Sequence, residues 1–206
     1  PGPALPMREA APEDPGSRPV RAIEADDVHL LRVTLTHALF EHLPDIQPEQ
    51  RARAARAFLQ TRGQNLATHI RDRIVDEVLT VLNNPEFAPL FGSHSQAEVA
   101  VSAELPRPDG REPRLSLAGS IDRLAEVDGA ILIVDYKTNR EVPNIDDQIA
   151  VAYLLQLAAY RLALKEIFPG RTLQAALLWT RVPQLVGVSG ASLDKAEERL
   201  WELSAP

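Results

Sequence analysis

The chain has 206 residues, 45% of them hydrophobic and 25% charged, enough length and apolar content for one well-buried globular domain. It has no cysteine, which excludes disulfides, cysteine-ligated zinc and an iron–sulfur cluster and fits a cytoplasmic protein. A net charge of −7 argues against a non-specific nucleic-acid binder, but it suits a site where clustered carboxylates hold cations. No apolar run approaches the about 20 residues of a membrane span, and no basic-then-apolar leader opens the chain.

Residues 1–26 carry Pro1, Pro3, Pro6, Pro12, Pro15 and Pro19 with Gly2 and Gly16. Such a composition buries no core and reads as a flexible linker, the start of a piece taken from a longer chain. Residues 27–92 form a helical part. Val28, Leu31, Leu35, Leu39 and Leu43 recur at spacings of three and four, and Pro44 ends that helix. Pro48 opens a second helix in the favoured first turn, with Arg51, Arg53 and Arg56 along its polar side. That strip is a candidate DNA-facing surface; a solvated helix face is the plainer reading. A third helix is expected over Asn65–Leu82, stopped by Asn83-Asn84-Pro85.

Residues 93–206 switch to strand periodicity. Ala97–Ala103 alternates, Pro106–Pro113 is turn-rich, and Leu115, Leu117, Gly119 and Ile121 alternate toward Asp122. Gly119 inside a strand implies a bulge or a close backbone approach. Asp128-Gly129 is a hairpin signal leading into Ile131–Val134, a buried central strand. A long helix is expected over Asp147–Phe168, then a buried strand Leu173–Thr180, an edge strand Leu185–Val188 and a last helix capped by Ser192. The order of elements predicts an α/β (α+β) fold, a central mixed β-sheet flanked by helices with an N-terminal helical region.

The central strand ends in Asp135-Tyr136-Lys137. Alternation puts Asp135 and Lys137 on one face, and the hairpin brings Asp122 beside them. Phosphodiester hydrolysis needs a metal ion to neutralise phosphate charge, an activated water and a cation for the developing negative charge. Mg²⁺ takes oxygen ligands, so two carboxylates and a backbone carbonyl suffice. Asp122 and Asp135 supply the carboxylates, the carbonyl of Tyr136 is available, and Lys137 supplies the cation. The plainer reading, a strand-end ion pair, is weakened because an unneeded acid at the end of an apolar core strand is costly. Gln156 and Tyr160, one turn apart, add polar groups to an otherwise apolar helix face.

Gly119-Ser120-Ile121-Asp122-Arg123-Leu124, Ile133–Asn139 and Gln156-Leu157-Ala158-Ala159-Tyr160 together resemble the RecB-like branch of the PD-(D/E)xK nuclease superfamily, most closely the AddA-type C-terminal nuclease domain. Leu177–Thr180 and Asn84–Gly92 fit the same pattern, and the likeness covers most of residues 30–203. The resemblance implies a restriction-endonuclease-like fold and a Mg²⁺-dependent exodeoxyribonuclease, with Mn²⁺ as a possible substitute. Asp122, Asp135 and the Tyr136 carbonyl would be metal ligands, Lys137 the catalytic lysine, and Gln156 with Tyr160 the supporting Q-x-x-x-Y element. It also implies a histidine ligand on the first helix; His37 is the match, although Val33 stands where that pattern has glycine. An imidazole ligand would let Mn²⁺ compete well. Glu98 is a further candidate acid, to hold a metal-bound water or pair with Lys137, or else an ordinary strand-face glutamate. Arg123, Thr138, Asn139 and Arg140 flank the site as candidate phosphate contacts or solvated strand-end groups.

No G-x-x-x-x-G-K-[ST] loop occurs, so ATP hydrolysis would belong to other parts of a parent protein. The resemblance implies a bacterial, cytoplasmic AddAB-type helicase–nuclease that processes double-strand breaks for recombinational repair. DNA, the parent helicase domains and an AddB-type subunit would be its partners. The alternative is a catalytically silent nuclease-like module that docks a partner subunit or recombinase.

Overall fold

A computed structural model describes residues 25–110, 114–143 and 148–203. Three helices come first: α1 (Ala25–His42), α2 (Pro48–Arg62) and α3 (Thr68–Leu82), followed by a 3₁₀ segment, Pro85–Phe91. The sheet strands are β1 (Ser95–Leu105), β2 (Leu115–Val127), β3 (Ala130–Lys137), β4 (Leu173–Trp179) and β5 (Gln184–Val188). Helix α4 (Val151–Ile167) connects β3 to β4, and α5 (Gly190–Leu203) follows β5. The expected linker at residues 1–26 lies outside the described residues save for the first turn of α1.

The strands stand in the order β1-β2-β3-β4-β5. All neighbours are antiparallel except β3 and β4, whose parallel pairing needs the α4 crossover. The sheet is mixed and the fold α+β, as the pattern of elements predicts. The β2–β3 turn is tight because Asp128 (φ 51°) and Gly129 (φ 78°) both adopt the left-handed region, the geometry that two-residue hairpins of matching twist require.

Each face of the sheet carries its own core. Leu132, Val134, Tyr136, Ala176 and Leu178 pack against α1–α3 through Leu39, Phe40, Ile74 and Val78. Ile133, Ala175, Leu177 and Trp179 pack the other way, against Leu157 and Leu164 of α4 and Leu193 of α5. A strand buried on both faces reads as a continuous apolar run, which is why Ile131–Val134 has no polar residue. Asp135 is therefore delivered to the carboxyl end of the strand between two apolar layers.

Several boundaries differ from expectation. Helix α3 starts at Thr68, because Gly63–Ala67 turns first; the Leu66 N–H donates to the Gly63 carbonyl at 2.9 Å and Leu66 is still buried. Asp147 lies outside the described residues, and α4 begins at Val151 with no side-chain cap at Ala150. The cap of α5 is Ser189, whose Oγ accepts from the Ser192 N–H at 3.2 Å; Ser192 itself is inside the helix. The Arg51 guanidinium donates to the carbonyls of Leu43, Pro44 and Ile46 and closes the α1–α2 turn.

Candidate metal centre

The sheet is interrupted at Asp122. Pairing of β2 with β3 ends at Arg123–Val134, and the next backbone donor of β3, the Tyr136 N–H, donates instead to Asp122 Oδ2 at 2.7 Å. On the other side, β1 pairs at Ala97–Arg123 and Val99–Ile121, but no pair joins Glu98 to Asp122. Glu98 has φ 47°, a conformation that costs a residue with a Cβ about 1 kcal/mol or more. The faces of β2 change over at the same point. Alternation would put Ile121 and Arg123 on one face, yet Ile121 packs toward α4 while Arg123 reaches the α1 side. The break turns Asp122 and Glu98 into one place.

His37 completes the cluster. It sits on α1 five residues after Arg32, and its ring lies edge-on to Tyr136 with centroids 5.4 Å apart. His37 Nδ1 is 3.3 Å from Asp122 Oδ1, and its Nε2 is buried with no hydrogen-bond partner among the described residues. Donor atoms of His37, Glu98 and Asp122 all lie within 4.8 Å of one another. A nitrogen and two carboxylates with an idle buried imidazole atom fit a divalent cation. Burial lowers the His37 pKa, but Asp122, with Asp135 and Glu98 behind it, outweighs burial and raises it above the ordinary imidazole value.

Asp135 stands next to this trio and is 4% exposed. Burial, then the charge of Asp122, raises its pKa against the pull of Lys137 and His37. The Lys137 ammonium ion-pairs with Asp135 Oδ2 and lies 3.7 Å from the centre of the Tyr153 ring, a cation–π contact. Lys137 is thus held from a carboxylate and from α4 at once.

Gln156 and Tyr160 act one step back. Gln156 Nε2 donates to the Tyr160 hydroxyl at 3.3 Å, and that hydroxyl donates to the Ser120 carbonyl at 2.7 Å. The Ser120 hydroxyl then donates to Glu98 Oε2 at 2.9 Å. The chain of bonds runs from α4 through β2 to the carboxylate of Glu98. Gly119 is part of it: a Cβ there would meet Tyr160 Cε1 and the hydroxyl at 3.0 Å, so only glycine admits the ring without displacing it. The close approach expected at Gly119 is this one.

The remaining candidates separate. Arg123 is corrected: it is 4% exposed, and it donates to the Phe40 carbonyl, the Tyr136 hydroxyl (3.1 Å) and Ser95 Oγ (3.1 Å). Its guanidinium ties α1 to the sheet and offers nothing to phosphate. Burial pushes the pKa of the Tyr136 phenol up to about 12, against the pull of the Arg123 guanidinium beside it. Thr138 is buried, which removes it from phosphate contact, whereas Asn139 and Arg140 are exposed. Tyr153 and Ser120 were not singled out by sequence. Tyr153-x-x-Gln156-x-x-x-Tyr160 at helical spacing was the available signal for Tyr153; Ser120 had none.

A family model described as the PD-(D/E)XK nuclease superfamily matches residues 25–203. A search of curated proteins finds no match. Among solved structures, the chain is similar to that titled "Crystal structure of SSO0001" at 12% identity and a TM-score of 0.37, over 86% of each chain. It is also similar to protein VC1899 from Vibrio cholerae at 13% identity and a TM-score of 0.30, over 85% of this chain and 55% of that one. The family match spans nearly the whole described chain, including every strand of the sheet and the His37–Glu98–Asp122 cluster, and the chain therefore belongs to the PD-(D/E)XK nuclease superfamily.

Proposed function

We propose that the chain is a divalent-metal-dependent exodeoxyribonuclease module that cuts single-stranded or unwound DNA. We assign it to an AddAB-type helicase–nuclease that processes broken duplex ends in the bacterial cytoplasm, with helicase domains and an AddB-type subunit as partners. The AddA-type motifs around Asp122, Asp135 and Gln156 support that narrower assignment. Among the described residues, no helix is long and apolar enough to cross a membrane.

The observation that carries the nuclease reading is the convergence of His37, Glu98 and Asp122 donor atoms within 4.8 Å, beside the Asp135–Lys137 pair. Asp122, Glu98 and His37 would hold Mg²⁺, or Mn²⁺ in its place, with Asp135 and the Tyr136 carbonyl as adjoining oxygen donors. A bound ion of this kind neutralises phosphate charge and makes a coordinated water more acidic. Lys137 presents its ammonium to the negative charge that builds on the scissile phosphate. Asp135 and Tyr153 keep that ammonium in place, so little orientation is lost when substrate arrives. The Gln156–Tyr160–Ser120 chain holds Glu98 toward the ion.

The test is cleavage of end-labelled single-stranded DNA with Mg²⁺ or Mn²⁺. Asp135→Ala and Lys137→Ala are each expected to lower the rate by about a hundred- to a thousandfold, the scale on which loss of one transition-state group is felt, with the circular dichroism spectrum retained. Metal-dependent cutting at an undiminished rate by either variant refutes the assignment. No cutting and no Mn²⁺ binding by the unaltered chain would favour the docking-platform alternative.

A further inference from the structure

On the α1 side of the sheet, beyond the carboxyl ends of β3 and β4, lies a groove of about 680 Å³ between α1, α3 and the segment after β4. Four arginines line it: Arg32 from α1, Arg73 from α3, Arg140 after β3 and Arg181 after β4. Two acids, Asp76 and Glu77, lie in the same wall. Glu77 is engaged, ion-paired with Arg32 and accepting from Thr180 Oγ1. Among the described residues, Arg73, Arg140 and Arg181 form no ion pair, and all three are exposed. In a chain of net charge −7, these guanidinium groups make the groove a local cationic patch. Their mutual repulsion is felt: burial, then Arg32 and Arg140, lowers the Arg181 pKa.

The groove lies beside the elements that carry the metal centre. The Thr180 N–H donates to the Lys137 carbonyl at 2.9 Å, so the groove wall is bonded to the residue whose side chain faces Asp135. Arg32 and His37 share α1, and five residues of helix separate their Cα atoms by about 7.5 Å along the axis. Arg140 is three residues beyond Lys137. Arg32 also has a buried Nη1 with no hydrogen-bond partner among the described residues, a donor that an anion would satisfy.

We propose that this arginine groove binds the phosphodiester backbone of the single DNA strand whose scissile bond lies at the His37–Glu98–Asp122 centre. The proposal rests on the nuclease reading and supplies what an acidic protein otherwise lacks, a local cationic track. Guanidinium groups contact phosphates without reading bases, so binding is indifferent to sequence and steeply salt-dependent.

The experiment measures fluorescence anisotropy of labelled oligothymidylate with the full chain and Ca²⁺, over a series of salt concentrations. The double variant Arg73→Gln/Arg181→Gln removes two exposed, unpaired charges and is expected to fold. Its affinity should fall at least about tenfold, and the slope of log affinity against log salt should flatten by about 1.4, at about 0.7 per phosphate contact on a single strand. Arg140→Gln alone should flatten it by about half that amount. Hydrolysis of bis(p-nitrophenyl) phosphate with Mn²⁺, a diester too short to reach the groove, should be unchanged in the double variant. An unchanged salt slope in both variants overturns the proposal, whatever the cleavage result. If the unaltered chain hydrolyses neither substrate, the nuclease reading fails, while the anisotropy alone decides whether the groove binds the strand.

Discussion

Asp122 does two jobs that a single substitution can separate. Its Oδ2 accepts the Tyr136 N–H that the β2–β3 ladder leaves unpaired, and its Oδ1 faces His37. The first job is architectural and needs an acceptor; the second needs a charge. Asp122→Asn keeps a carbonyl oxygen for Tyr136 and removes the charge. Asp122→Ala removes both and leaves a buried backbone donor unsatisfied, at a cost of about 1–3 kcal/mol. Metal binding and DNA cleavage should vanish in both variants. Only the alanine variant should lose stability on that scale in urea unfolding. Equal and large destabilisation by asparagine would mean that the carboxylate charge, not the hydrogen bond, holds the strands at this point.

At the scale of elements, α4 must keep its register because it presents Tyr153, Gln156 and Tyr160 to the site. The device that fixes it is polar and lies on a flanking face of the helix. Arg161, 6% exposed, donates to Asp194 Oδ1 at 2.5 Å and Glu197 Oε1 at 2.6 Å of α5, and Lys165 reaches Glu197 at 2.7 Å. Asp194 is largely exposed and Lys165 still holds Glu197 after substitution, so Arg161→Met should cost about 1–3 kcal/mol, less than a fully buried pair. A chemical unfolding midpoint checks it; an unchanged midpoint would mean that apolar packing alone docks α5. The elements themselves were legible from local pattern: the Ile131–Val134 run, the Asp128-Gly129 turn and the apolar spacing of α4 each report a short-range preference. Asp122, Asp135 and Lys137 were legible as a chemical set because costly acids stand out at strand ends. The left-handed turn of Glu98 was not, since nothing about a glutamate signals positive φ. Nor was the burial of Arg123, whose partners Phe40, Ser95 and Tyr136 come from three distant parts of the chain. The arginine groove is invisible for the same reason, its members being spread from residue 32 to residue 181 and assembled only by the fold.

For the whole molecule, the metal centre makes stability depend on both cation and pH. Without an ion, the raised pKa of His37 means that its imidazolium form is favoured by folding. Its contribution is fully present below the unfolded value, near 6.5, and is lost as pH rises through the elevated folded value. A metal ion needs the neutral imidazole, so proton and cation compete for His37. Mn²⁺ should therefore stabilise the chain weakly at about pH 6 and increasingly toward about pH 8, as His37 deprotonates. An ion present at about 100 times its dissociation constant adds about 2.7 kcal/mol. For a domain of this size that raises the melting temperature by about 5–11 °C. Differential scanning calorimetry with and without Mn²⁺ at several pH values measures the increment directly. In His37→Gln the increment should shrink and lose the pH dependence that the imidazole confers, because a glutamine side chain takes up no proton over this interval. A His37→Gln chain that shows the same pH-dependent increment would remove the imidazole from the ligand set and leave the cation to Asp122, Glu98 and Asp135.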